Sequence, residues 1–348
     1  MHNPSLNAGH QNRTVFSGDV ISVSMIVNGT SKVMSKKTKV GVVGVGYLGQ
    51  IHAKIYHEMD NVELVMLADT HEETISELAQ RYNCGFTTNY LDMIDKVDAV
   101  SIVVPTSLHF DVAQPFLEAG IATLMEKPIA ATVDEARKLV DLAAQNEAPF
   151  LIGHLERYNP ALRAVASKVA EPKYIEVHRL GTFVERATDV DVITDLMIHD
   201  LDLVLSLVDE EPCDVQAIGS SVITDHIDLA NVRLAFPSGA VANITASRVS
   251  NKRFRRFRVF GPEGYYGINL MDQELDIVTK GDAPEGSEFP GLEVDHIKFE
   301  NEQPLQVELA HFIEVAKGQA MPMVTGLQGL RALQLAEQIQ EIMRDSVK

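Results

Sequence analysis

Valines at 40, 42 and 43 form a short apolar run, the pattern of a strand buried on both faces of a parallel sheet. The run breaks into glycines at 44, 46 and 49, and helical spacing follows over Gln50–Met59. Asn61–Leu67 predicts a second strand, Glu72–Tyr82 an amphipathic helix and Asp98–Val104 a third buried strand. The next helix runs to about Ala119, with Ser107 placed to cap it. Ile121–Met125 is another strand. Thr132–Asn146 carries Val133, Ala136, Leu139, Val140 and Ala143 at helical spacing, and Pro149–Gly153 closes the series. Strands alternating with helices of this length predict an α/β fold built on a right-handed, doubly wound parallel sheet.

From about 155 the rhythm changes. Pro160–Val169 is helical. Lys173–Phe183, Val215–Thr224, Ile227–Phe236, Val241–Arg248, Phe254–Gly261, Tyr265–Asn269 and Glu274–Thr279 then predict strands broken by turn residues. One helix, Asp195–Val208, interrupts them. Strands without intervening helices predict a second, α+β domain with an open, largely antiparallel sheet. Gly281–Gly291 is an acidic loop, and helices over Pro304–Gly318 and Leu327–Ser346 are expected to pack back across the junction. The expected division is 37–155, 156–348 and a disordered extension over 1–36, where Ile21–Val27 is at most a stray strand. Met34 is a candidate natural start, since the recognisable fold begins about five residues later.

The 348 residues suffice for two domains with sizeable cores. A formal charge of −19 argues against nucleic acid and anionic membranes as partners, so an anionic substrate has to meet local positive charge. Cys84 and Cys213 are isolated, which indicates neither a disulfide framework nor structural zinc and suits a reducing cytoplasm. No run is long and apolar enough to span a membrane, and residues 1–35 lack the features of a signal peptide.

Gly44, Gly46 and Gly49 make a G-x-G-x-x-G turn from strand to helix, the arrangement that brings a pyrophosphate to a helix N-terminus. Tyr47 and Leu48 lie within it. Asp69, about twenty residues beyond, lies where a carboxylate bonds the adenosine ribose hydroxyls, and Thr70 brings no arginine for a 2′-phosphate. NAD is therefore expected over NADP. Ligands on such a sheet gather past the carboxyl ends of the strands, which adds Pro105, Thr106, His109, Glu126, Lys127 and His154 to the same crevice.

The apolar helix Asp195–Leu205 holds Asp195, His199 and Asp202 at spacings that place them on one face. Asp195 is positioned to accept from His199, fixing its tautomer and raising its basicity for general-base work; a structural His–Asp pair is the alternative. Three groups on one helical face rarely surround an ion, so no metal is expected. Arg157, Tyr158 and Asn159 are placed either to bind sugar hydroxyls or a diphosphate or to cap the following helix. The basic run Lys252–Arg258 reads by default as an interface or solvated sheet face; the lesser alternative puts Lys252 or Arg253 near a substrate phosphate.

Three motifs in order, Gly44–Gly49 with Asp69, Glu126-Lys127-Pro128, and Asp195-x-x-x-His199, resemble the glucose–fructose oxidoreductase / inositol dehydrogenase (Gfo/Idh/MocA) family of nicotinamide-dependent sugar and polyol dehydrogenases. The resemblance spans the chain from about residue 39. It implies a Rossmann domain joined to a domain whose open sheet pairs subunits into a homodimer or homotetramer. It also implies that Lys127, Asp195 and His199 surround the reacting sugar carbon.

Gly153–Pro160, His178-Arg179-Leu180-Gly181 and Asp195–Asp202 look like the nucleotide-sugar branch, UDP-N-acetylglucosamine 3-dehydrogenases especially. That branch oxidises the sugar 3-hydroxyl ahead of amine transfer, as in making a diamino sugar for lipid A. Met197 stands where many members have glycine, and a reshaped pocket is expected from it. The expected enzyme uses His199 as base and Lys127 to steady the oxygen, or the two exchanged. The alternatives are a free polyol or inositol dehydrogenase, and a regulator that binds NAD without turnover.

Overall fold

The apolar runs of the first half become β1 (Thr38–Val43), β2 (Val62–Ala68), β3 (Gly85–Thr87), β4 (Ala99–Ile102), β5 (Ala122–Glu126) and β6 (Phe150–Gly153). They pair in parallel in the order β3-β2-β1-β4-β5-β6. Helices α1 (Tyr47–Glu58), α2 (Glu72–Tyr82), α3 (His109–Glu118) and α4 (Val133–Gln145) connect them. These features come from a computed structural model that describes residues 36–346 except 167, 185–189, 287 and 301. The expected stray strand at Ile21–Val27, with nearly all of the expected extension, lies outside the described residues.

Val40, Val42, Ala99, Val100, Leu124 and Leu151 are fully buried, as strands covered on both faces require. Strand order reverses between β1 and β4, and the crevice at that reversal is where such sheets take their ligands. α4 starts where the sequence marks it: the Thr132 hydroxyl accepts from Glu135 N, and the Glu135 carboxylate accepts from Thr132 N. Ser107 does not cap α3. It lies inside a 3-10 turn, Thr106–Leu108, and Leu108 occupies the cap position. β3 escapes the apolar pattern because it is short and largely exposed.

The second half contains α5 (Pro160–Ala166), β7 (Tyr174–Leu180), α6 (Ile198–Val208), β8 (Asp214–Ser220), β9 (Leu229–Ala235), β10 (Val241–Ser247), β11 (Phe254–Gly261), β12 (Gly264–Asn269), β13 (Glu274–Lys280) and β14 (Leu292–Lys298). They form an open sheet in the order β14-β13-β12-β11-β7-β10-β9-β8, antiparallel throughout except for the β7–β10 pair. The α/β and α+β expectation therefore holds. β14 has no buried position, so no alternating pattern announced it. The alternate residues Ile175, Val177, Val232, Ile244, Phe257 and Val259 pack under α6 and the C-terminal helix. The opposite face is uncovered among the described residues.

α7 (Pro304–Ala316) packs against α1, β5 and the 3-10 turn Leu155–Tyr158, while α8 (Gly326–Ser346) touches α4 and β6 on one side and α6 and β8 on the other. Lys37–Lys348 thereby form one compact unit.

Candidate active site

Gly44 has φ +86, a conformation side chains disfavour, and its N–H donates to Ala68 O on β2. A side chain at Gly49 would overlap the Gly44 carbonyl, so the helix can lie this close to the strand only with glycine there. Gly46 differs: a Cβ there would meet nothing within 4 Å. Gly46 is the N-cap of α1, no side chain caps that helix, and its first turn holds no acid. Open space before uncapped N–H groups suits a pyrophosphate. Tyr47 is exposed and Leu48 half-buried beside it.

Asp69 closes this side. Its carboxylate accepts from Val45 N (2.8 Å) and His71 N (3.0 Å), so it also holds the glycine turn, and it stays partly exposed next to an exposed Thr70. Pro105 is exposed and Thr106 half-buried past the end of β4. His109 is placed differently from the cofactor contact expected of it. It is buried, its ring nitrogens lie 2.8 and 3.0 Å from the carbonyl oxygens of Pro128 and Val104, and it braces the loops instead of lining the crevice.

Past β5, Lys127 reaches toward the second half of the chain. Its ammonium donates to Asp195 O (2.7 Å) and lies 3.7 Å from Asp195 Oδ1. Burial lowers the Lys127 pKa against the pull of Asp195 and Glu126, which raise it. The carboxylate of Asp195 thus serves Lys127, and the expected Asp195–His199 bond is absent: His199 Nδ1 is buried with no hydrogen-bond partner among the described residues. The reason lies in the backbone. Ile193–Met197 is a π turn, and only from Ile198 does the chain become α-helical, so the spacing of four does not bring these side chains together.

The expected gain in His199 basicity is reversed as well. Burial, then the positive charges of Lys127 and Arg179 with those of His154 and Arg255, push its pKa well below the ordinary value. At neutral pH it is an uncharged imidazole. Asp202 turns the other way, pairing with Arg157 through Nε (2.6 Å) and Nη2 (3.0 Å), so the three helix residues do not converge.

That pair also removes Arg157 from the substrate contacts expected of it. Tyr158 is fully buried and its hydroxyl meets His311 Nδ1 at 2.8 Å; Asn159 donates to Leu270 O and accepts from Ala161 N at the start of α5. The segment thus makes capping and packing contacts, and Asn159 in addition lines the cavity around Arg179. Met197 points into the core of the second sheet, so it does not reshape the pocket.

Arg179 is the anchor of a cavity of about 670 Å³ lined also by Glu156, Leu196, Arg253, Arg255 and Met271. Arg179 donates to both oxygens of Asp200 (2.8 and 2.7 Å) and to Glu156 (2.9 Å). Burial works against this cation, but Asp200 and Glu156 outweigh it and hold it protonated. Arg255 lies directly across the strand pair from Arg179, a like-charge placement that costs stability unless anions answer it. Burial and Arg179 depress its pKa. Glu156 accepts from Arg255 at 3.3 Å, while Arg253 has no carboxylate partner among the described residues. Three guanidiniums face two carboxylates, which leaves an anion-seeking surface in an acidic protein.

Sequence reasoning missed Arg255, Glu156 and Asp200 and gave the basic run a bland default. A signal was present: Phe257 and Val259 mark the buried face of β11, and Arg253 and Arg255 share their parity, whereas Arg256 and Arg258 fall on the bare face and pair with Asp276 and Glu176.

Comparison with known proteins bears on both halves. The oxidoreductase family with NAD-binding Rossmann fold matches residues 38–154, and the GFO/IDH/MocA C-terminal domain matches residues 161–267. UDP-N-acetylglucosamine 3-dehydrogenase of Acidithiobacillus ferrooxidans is 35% identical over 302 residues, covering 86% of this chain and 96% of that protein. Inositol 2-dehydrogenase of Rhizobium meliloti is 29% identical over 316 residues, covering 85% and 94%. A solved structure of the Acidithiobacillus enzyme superposes with TM-score 0.83 at 34% identity, over 89% of this chain and 99% of that one.

Proposed function

Because this chain belongs to the GFO/IDH/MocA family of oxidoreductases with an NAD-binding Rossmann fold, we propose that it oxidises the 3-hydroxyl of a nucleotide-activated amino sugar such as UDP-N-acetylglucosamine, with NAD as cofactor. The observation that carries the nucleotide-sugar reading is the Arg179–Arg253–Arg255 cavity, lined also by Leu196, the next residue after the Asp195 that holds Lys127. A free polyol has no charge to satisfy those guanidiniums, whereas a diphosphate does.

The cofactor, when bound, supplies the hydride acceptor. Neutral His199 takes the proton of the sugar hydroxyl, and the Lys127 ammonium, held by Asp195, donates a hydrogen bond to the same oxygen and stabilises the developing alkoxide. The imidazolium so formed sits among cations and releases its proton readily. Two free cysteines, Cys84 and Cys213, suit the reducing cytoplasm we assign to it. We assign subunit pairing to the bare face of the open sheet.

A screen of NADH formation over UDP-N-acetylglucosamine, free N-acetylglucosamine and myo-inositol tests the reading. Turnover with the UDP-sugar alone, inhibited by UDP, is expected. Equal turnover of inositol would overturn the nucleotide-sugar assignment, and NAD binding without any turnover would favour a regulator.

A further inference from the structure

The π turn that gives Asp195 to Lys127 is held by side chains that the proposed reaction does not use. Asp191 stands just before it. Its Oδ1 accepts from Ile193 N (3.0 Å), Thr194 N (3.0 Å) and the Thr194 hydroxyl (3.2 Å), and its backbone carbonyl accepts from Asp195 N (3.1 Å). The other carboxylate oxygen, Oδ2, accepts from Gln340 Nε2 on α8 (2.6 Å), and the same nitrogen donates to the Thr194 hydroxyl (2.9 Å). Ala336, Ile339 and Met343 bury this stretch of α8 in the core under the second sheet, so packing that Gln340 does not itself supply sets it against the turn. The chain entering the turn is fastened too: Val190 O accepts from Arg248 Nη2 (2.7 Å), and Val192 N donates to Ile227 O (2.9 Å).

A carboxylate in this position ordinarily caps an α-helix. Here the segment that follows is wider, because Ile198 N donates back five residues to Ile193 O. Such turns are rare, short and concentrated at functional sites. An α-helix over the same residues would stack Asp195 one turn from His199. The wider turn instead offers the Asp195 carbonyl to Lys127 Nζ at 2.7 Å and brings the carboxylate to 3.7 Å. Asp191 divides its two oxygens between the turn and α8, so a helix outside the crevice dictates where the turn begins.

We propose that Asp191 and Gln340 are positioning residues: together they hold Ile193–Met197 in its π turn and so keep Asp195 on Lys127 and away from His199. The proposal rests on the assignment of Lys127 and His199 to the reacting crevice. Neither residue touches the reacting atoms; both act through Asp195.

Gln340→Leu removes the bonds to Asp191 and Thr194 without changing charge, and Gln340→Glu sets a second carboxylate against Asp191. Adding Asp191→Asn to Gln340→Glu restores the bond with its direction reversed, the new amide donating to the new carboxylate, at the net charge of the parent. Each single Gln340 variant is expected to lose about tenfold or more in kcat, with the dissociation constant for NAD within about twofold of the parent; the paired variant should return to within about threefold of the parental kcat. Magnetic resonance titration of labelled histidine gives a second readout. In Gln340→Leu the burial of His199 is unchanged while Lys127 recedes and Asp195 approaches, so its imidazole should take up protons at higher pH than in the parent. A His199 resonance in Gln340→Leu that titrates as in the parent overturns the proposal. So do single variants with parental kcat, or a paired variant no better than Gln340→Glu alone. The titration needs no substrate, so a wrong sugar assignment leaves it intact.

Discussion

Asp69 does more than its place at the end of β2 suggested. One oxygen accepts from Val45 N and the other from His71 N, so the side chain that faces the expected ribose also holds the glycine turn in shape. Replacing it by alanine would therefore mix a change in selectivity with a change in loop structure. Asp69→Asn keeps an oxygen for Val45 N and removes the charge, giving up only the acceptor for His71 N. A carboxylate and a phosphate about 4 Å apart repel by about 1 to 4 kcal/mol, depending on solvent exposure. The ratio of dissociation constants, NADP over NAD, should then fall about tenfold or more in the Asn variant, measured by fluorescence titration. An unchanged ratio would show that Asp69 has no part in selecting NAD.

At the scale of elements, the segment from Ile193 to Val208 decides how the site works. The apolar content of Asp195–Leu205 was enough to predict a buried helix, and the polar residues within it stood out as costly to bury. Their pairing was not legible, because a π turn has no pattern of its own and periodicity assumes an α-helix throughout. With the turn in place, Asp195 supports Lys127, and His199 is left among cations. The cofactor half was far more legible: glycines at a strand–helix turn are dictated by local geometry, while arginines that meet across β7 and β11 depend on a register no local pattern reveals.

The electrostatics of His199 follow from this arrangement and can be tested. After burial, Lys127 heads the causes that depress it, so Lys127→Met should raise its pKa; the imidazole then begins to take up protons at higher pH than in the parent. Nuclear magnetic resonance titration of labelled histidine follows this directly. The same variant should lose about 10² to 10⁴ in kcat, as expected for a group acting on the reacting oxygen. A His199 resonance that titrates unchanged would separate the two residues and remove the shared crevice.

The whole molecule joins two sheets of different logic. The parallel one is covered on both faces and was legible strand by strand apart from the short, exposed β3. Among the described residues the second is covered on one face only, and its other face presents matched rows: Glu176, Asn243, Arg233 and Gln216 in one, His178, Thr245, Asn231 and Ile218 in the next. Hydrogen bonds cross this face from Asn231 to Thr245 and from Arg233 to Asn243, and Ile218 is 67% exposed within it. Eight strands of about seven residues span about 34 by 23 Å, on the order of 800 Å², which is the area per partner of a stable protein interface. Two copies meeting face to face would cover the polar ladders and give Ile218 an apolar neighbour. The parent should accordingly elute with the mass of a dimer or a multiple of it in light scattering, and Ile218→Asp with Arg233→Glu should lower that mass toward the monomer while leaving NAD affinity within about twofold. The site lies under the opposite, helix-covered face, so loss of NAD binding in step with dissociation would contradict this placement, as would a monomeric parent.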